Sequence, residues 1–194
     1  MFWDEMNLHL YNGILSLFRV RQFPTLQWLK TIISTEQIMN LNEIINQLEA
    51  LASPEKIEIK KNKFAIKAKN SLGIYHKDLK VLAKKIGQDN KLALELYDTG
   101  IYEARILCSK IYDPALISEN QMDGWAADFE NWEICDSFCM GFFAKSKYAL
   151  LKASEWSESE SEFVKRAGFV MMASYGFADK KSDNELFERF FLFI

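Results

Sequence analysis

The sequence predicts an all-α protein built from stacked helix pairs, and three observations carry that prediction. Only three prolines and eight glycines interrupt 194 residues. Leu, Lys, Glu and Ala are abundant, a composition that favours helix. From Gly73 onward, helical segments of roughly 10–18 residues alternate with short polar turns. Three of these segments begin alike: Tyr102-Glu103-Ala104-Arg105-Ile106, Trp132-Glu133-Ile134-Cys135-Asp136 and Phe163-Val164-Lys165-Arg166-Ala167, with their leading aromatics 30 and 31 residues apart. A period of that length marks helix-pair units that bury their apolar faces on their neighbours. Stacked in register, they form a solenoid whose concave face is made by the second helix of each pair. Arg105, Asp136 and Arg166 then fall at similar depths on successive inner helices.

Residues 1–33 read as a helix over about 4–19, a break at Phe23-Pro24 and a short helix from Thr25, with Leu8, Tyr11, Leu15 and Phe18 at helical spacing. Ser34-Thr35-Glu36-Gln37 resembles a cap opening a helix over 37–52, which Ser53-Pro54 closes. Residues 55–69 are basic and helical, including Ile57-Glu58-Ile59-Lys60, and Asn70-Ser71-Leu72-Gly73 is a turn. Helices follow over 77–86, 91–98, 102–111, 119–129, 132–143, 147–156, 162–177 and 184–193. Between them lie turn signals such as Thr99-Gly100 and Asp113-Pro114.

Half of the chain is apolar (49%), enough for a sizeable core in one domain. The three cysteines, Cys108, Cys135 and Cys139, have no framework spacing, which points to buried thiols in a reducing compartment. Cys135 and Cys139 share a helical face, yet two thiols without a nearby His make a poor metal site, and no metal or cofactor is expected. No run is apolar and long enough for a membrane span, and the acidic N-terminus is not a signal peptide, so a cytoplasmic location is expected. His9 and His76 stand isolated, without a catalytic partner. The net charge of −3 hides an asymmetry, for residues 55–91 hold eleven lysines against four acids. Such a block is either a solvated face or a phosphate-binding surface.

The stretch with most chemistry in it is 129–139. Asn131 is a suitable N-cap for the helix that follows, and Glu133 suits its positive end. Trp132 and Asp136 are four apart and share a face. One reading is a core tryptophan beside a solvated or capping aspartate. The other is an aromatic face and a carboxylate prepared for a cation, or for a sugar that becomes cationic as it reacts. Trp125, Trp156 and Phe163 read as core, and the acidic run from Glu155 to Glu162 as a solvated loop.

Several segments, in order, resemble the DNA alkylation repair proteins, the AlkD-like HEAT-repeat DNA glycosylases. They are Leu72-Gly73-Ile74, 79–87, 92–107, Asp113-Pro114, 121–125, 129–136 and 162–169. The resemblance runs from about residue 40 to the C-terminus. It implies HEAT-like helix-pair repeats forming a curved α-solenoid over 35–194, preceded by a helical N-terminal extension over 1–34. It further implies excision of cationic N3- or N7-alkylpurines from duplex DNA. In that reading Asp136 stabilises the oxocarbenium ion and positions the attacking water, and Trp132 packs on the deoxyribose. Arg166 grips the phosphate beside the lesion, and Lys165, Arg105, Lys80 and Lys84 bind flanking DNA. Arg105 is also placed to pair with a neighbouring helix. The family's usual last helix pair, with a second tryptophan, has no counterpart here. The apolar end at 190–194 is then a truncation, or is covered by the N-terminal extension or by a second copy in a homo-oligomer. The alternative function is a non-catalytic HEAT-like scaffold that binds DNA or a protein partner.

Overall fold

The computed structural model describes residues 39–178, 184–188 and 190–191, and the expected helices of 1–33 and the cap at 34–37 lie outside them. The chain divides into two units, Met1–Ile38 and Met39–Ile194, and only the second is described below. Among the described residues the regular structure is helical throughout.

Helix α1 (Leu41–Ala50) begins at Asn40. The Asn40 side chain accepts the Glu43 amide at 3.0 Å while the Glu43 carboxylate accepts the Asn40 amide, also at 3.0 Å. This reciprocal box fixes the start, so the helix does not run through Met39 from residue 37 as its sequence suggests. Ser53-Pro54 opens the next helix rather than only closing this one. Ser53 caps α2 (Pro54–Phe64) with Pro54 in its first turn, where a missing N–H costs nothing. The basic block thus includes a true helix, ended by Ala65 in the left-handed region.

The remaining helices are α3 (His76–Ile86), α4 (Asn90–Asp98), α5 (Tyr102–Ile111), α6 (Glu119–Ala127), α7 (Trp132–Gly141), α8 (Ala149–Ser157), α9 (Glu162–Ala178) and α10 (Asn184–Glu188). The bounds of α3, α4, α5, α8 and α9 lie within two residues of the sequence expectation, but α6 stops at Ala127 rather than 129, α7 stops at Gly141 and is followed by a 3₁₀ turn, Phe143–Lys145, and α10 ends at Glu188 rather than 193. Helices α3, α5, α7 and α9 each pack on the next and make one layer. In a second layer α4 packs on α5 and α8 on α9, with α1 against both α4 and α5. Phe138 of α7 sits at the centre of the core, with the Trp125, Phe129 and Phe143 rings all centred within 5.6 Å of its own. Trp125 and Trp156 are buried as expected, and the three cysteines are buried thiols.

The connector between α2 and α3 is held by one carboxylate. Glu103, fully buried in the first turn of α5, accepts from Ser71 Oγ (2.8 Å) and from the amides of Leu72 (2.7 Å), Gly73 (2.8 Å) and Ile74 (3.2 Å). Gly73 has φ +74°, and a Cβ there would lie inside contact distance of the Ser53 carbonyl oxygen. Gly73→Ala therefore combines left-handed strain with a backbone clash, and is expected to cost about 3 kcal/mol or more. A denaturant titration checks it; an unchanged midpoint would contradict the close approach. Gly168 in α9 is likewise pressed on the Ser157 backbone, which lets α8 and α9 meet closely.

Candidate nucleic-acid interface

Helix α7 presents the candidate site because its N-cap locks its first turn in place. Asn131 Oδ1 accepts the amides of Glu133 (3.0 Å) and Ile134 (3.2 Å) and lies 2.8 Å from the Tyr102 hydroxyl of α5. Asn131 Nδ2 donates to the Lys67 carbonyl. Trp132, the next residue, is 37% exposed rather than enclosed. Its indole Nε1 donates to the Phe64 carbonyl at the end of α2 (2.9 Å), which fixes the plane of the ring.

The indole lines a groove of about 850 Å³, shared with Lys67, Phe163, Lys165, Arg166 and Phe169. Two of the sequence-expected cations, Lys165 and Arg166, therefore stand on its wall. Lys67 and Phe169 were not singled out, and Phe163, expected in the core, also reaches this groove. One turn along α7, Asp136 lines an adjoining cavity of about 490 Å³, and Val170 and Ala173 of α9 border both spaces. Arg166 joins the two. Its Nε and Nη2 each donate to one Asp136 oxygen at 2.8 Å, a bidentate pair that raises the guanidinium pKa still further. Trp132, Asp136 and Arg166 are thus neighbours, as the shared helical face and the repeat register suggest.

Arg105 is elsewhere. Its Nη2 donates to the Asp128 carbonyl (2.9 Å), Nη1 lies 3.5 Å from Glu130, and the guanidinium sits 5.2 Å above the Tyr97 ring. It anchors the turn between α6 and α7, pairing with the neighbouring repeat rather than facing the groove. Lys80 and Lys84 are exposed on α3, and Lys84 borders a separate pocket.

The histidine expected to stand alone has partners. His76 Nε2 lies 3.2 Å from Ser137 Oγ and 3.4 Å from Glu133 Oε1. Both contacts use one ring nitrogen, so this is not a relay in which a carboxylate orients the far side of the ring. Glu133 is the hub. Lys60 Nζ reaches it at 3.0 Å and also donates to the Ile74 carbonyl, and the Tyr102 hydroxyl lies 3.0 Å away. The recurrence of a glutamate directly after Tyr102 and Trp132 is the one sequence signal that pointed to these two buried carboxylates. No group of three or more His, Cys, Asp or Glu among the described residues is arranged to hold a metal ion.

Residues 44–191 match the model of a family described as DNA alkylation repair enzyme. The chain belongs to that family. Its curated relatives include the uncharacterized protein Lin0241 of Listeria innocua, 24% identical over 141 residues, covering 71% of this chain and 63% of that protein. Lmo0209 of Listeria monocytogenes, also uncharacterized, is 23% identical over the same extent. A solved structure from a new family of proteins related to the HEAT-like repeat DNA glycosylases with affinity for branched DNA structures is 27% identical. It superposes with a TM-score of 0.64 over 76% of this chain and 61% of that one. The fold is therefore HEAT-like and all-helical. The chain spans under two thirds of the length of each of these relatives. Among the described residues no helix is long and apolar enough to cross a membrane.

Proposed function

We propose that this member of the DNA alkylation repair family binds duplex DNA along the groove beside α7 and excises N3- or N7-alkylated purines. The observation that carries this reading is the juxtaposition of a half-open indole, a carboxylate one turn away and an arginine bonded to that carboxylate. An N7- or N3-alkylpurine is already cationic, so it leaves as a neutral base carrying the glycosidic electron pair. The sugar left behind is an oxocarbenium ion. Asp136 stabilises that charge and orients the water that adds to C1′, taking up its proton. The Trp132 face attracts the same cation. Lys165 and Lys67 on the groove wall, with Lys80 and Lys84 on α3, hold flanking phosphates. Arg105, committed to Asp128 and Glu130, is not in this contact set.

The ion pair bears on catalysis directly. With one hydrogen bond from Arg166 on each oxygen, the charge of Asp136 is largely neutralised, although each oxygen keeps a lone pair for water or sugar. A backbone phosphate competes for the guanidinium and, by drawing it away, frees the carboxylate beside the lesion. The same pair favours a second reading, in which Asp136 serves only to hold Arg166 and the chain binds DNA without excising bases. Release of 7-methylguanine from methylated duplex DNA separates the two. The excision reading expects release by the native chain and a loss on the order of 10²–10³-fold in Asp136→Asn. No release by the native chain, with salt-sensitive DNA binding retained, establishes the second.

A further inference from the structure

On the flank of α7 away from Trp132, the ends of three helices converge on a pocket of about 410 Å³. Lys84 from the last turn of α3, Lys110 from the last turn of α5 and Lys145 from the 3₁₀ turn after α7 border it, together with Ser109 and Ser137. No Asp or Glu is among its lining residues, in contrast to the Trp132 groove, whose wall includes Glu130 and Glu162. Among the described residues, none of the three ammonium groups has an ion-pair partner.

Lysines in a last helical turn often serve only to offset the negative end of the helix. Here the charges do not balance. Three helix ends contribute about −1.5 elementary charges in total, against three full positive charges. Among the described residues no hydrogen bond joins any of the three Nζ atoms to a helix-end carbonyl. Lys110 is half-buried, and its ammonium is disfavoured first by that burial and then by the nearby charge of Lys80. The charge of Glu133 acts in the opposite sense without offsetting them, and the pocket's own lining carries three cations and no carboxylate.

We propose that the pocket between the ends of α3, α5 and α7, bordered by Lys84, Lys110 and Lys145, binds backbone phosphates of DNA. The occupant is a polynucleotide backbone rather than a small anion. Lys84 and Lys110 come from α3 and α5, packed side by side about 8–10 Å between axes, and Lys145 from the turn after α7, the next helix of that layer, so they form a row and not a cup. Helix α7 also carries Trp132 and Asp136, so one rigid element connects this row with the proposed lesion groove. This assignment rests on the DNA-binding reading above and adds Lys110 and Lys145 to the contact already given to Lys84, none of which the excision chemistry uses.

The test is the salt dependence of binding to an undamaged fluorescein-labelled duplex, followed by fluorescence anisotropy. Each phosphate contact contributes about 0.9 to the slope of log affinity against log salt. Lys84→Ala, Lys110→Gln and Lys145→Ala are each expected to reduce the slope by about that amount, and the triple variant by about 2.7. Lys91→Ala, which removes a lysine 90% exposed and, among the described residues, paired with Glu95, leaves it unchanged. Lys84 and Lys145 are exposed, so their variants carry the test should Lys110→Gln fail to fold. Equal slopes in native and triple-variant proteins overturn the assignment while leaving DNA binding intact. An equal decrease in Lys91→Ala also overturns it, since net charge alone then suffices. Absence of binding by the native chain instead removes the DNA-binding reading, and this assignment with it.

Discussion

Replacing Glu103 with alanine is expected to destabilise the protein by about 3–5 kcal/mol, because several buried donors lose their shared acceptor at once. The carboxylate is fully buried and accepts three backbone amides and the Ser71 hydroxyl. Alanine leaves those donors facing one another with no acceptor, each carrying a desolvation cost of about 1–3 kcal/mol if water does not enter. The effect extends beyond α5, because the connector it holds positions α2 against the layer. Ser53 N donates to the Leu72 carbonyl, and Tyr102 N to the Asn70 carbonyl, within the same segment. Glu103→Gln keeps one acceptor oxygen and turns the other into a donor aimed at donors, so it rescues only partly. Equilibrium unfolding in urea checks both. A Glu103→Ala midpoint equal to that of the native chain would mean the connector is held by other contacts.

Removing Glu133 is expected to be comparably severe, also about 3–5 kcal/mol, because it leaves the Lys60 ammonium buried without a counter-charge. The side chains of Lys60 and Glu133 are only 4% and 9% exposed. Glu133 also makes stability depend on pH. Burial by itself pushes its carboxyl up, but the bond from His76, the charge of Lys60 and the bonds from Lys60 and Tyr102 more than offset this, so the pKa lies below the ordinary 4.5. The unfolded chain therefore binds the proton first as pH falls. The stabilisation is fully present above about pH 4.5 and is lost on going below it, through the folded-state pKa. Glu133→Gln should remove this part of the acid sensitivity while lowering stability at neutral pH. Unfolding midpoints measured from neutral pH to about pH 3 would show it. Parallel profiles for the native chain and Glu133→Gln would mean that other carboxylates account for the acid sensitivity.

Much of the fold was legible because helical periodicity is a local signal. The bounds of α5 were read to the residue, and those of its neighbours to within a few positions. Turn residues and caps such as Asn131 leave their mark on adjacent residues. The helix expected from residue 37 starts at Leu41 instead, because Asn40 and Glu43 cap each other there. That start turns Ile44 and Leu48 toward the core.

For the site, the sequence alone determined that Trp132 and Asp136 share a helix face, that Arg166 recurs one repeat later, and that the thiols lie inside. These follow from spacing along one helix and from a repeat of about thirty residues. Tertiary structure decided what spacing cannot encode, namely which charge meets which across the stack. Arg105 and Arg166 occupy like positions in their repeats, yet one secures a turn and the other holds Asp136. Lys60 reaches Glu133 across 73 positions of sequence. Lys84, Lys110 and Lys145 become one row only when three helix ends are packed side by side. A charged side chain finds its partner by distance in space, and between repeats that distance is set by packing rather than by order along the chain.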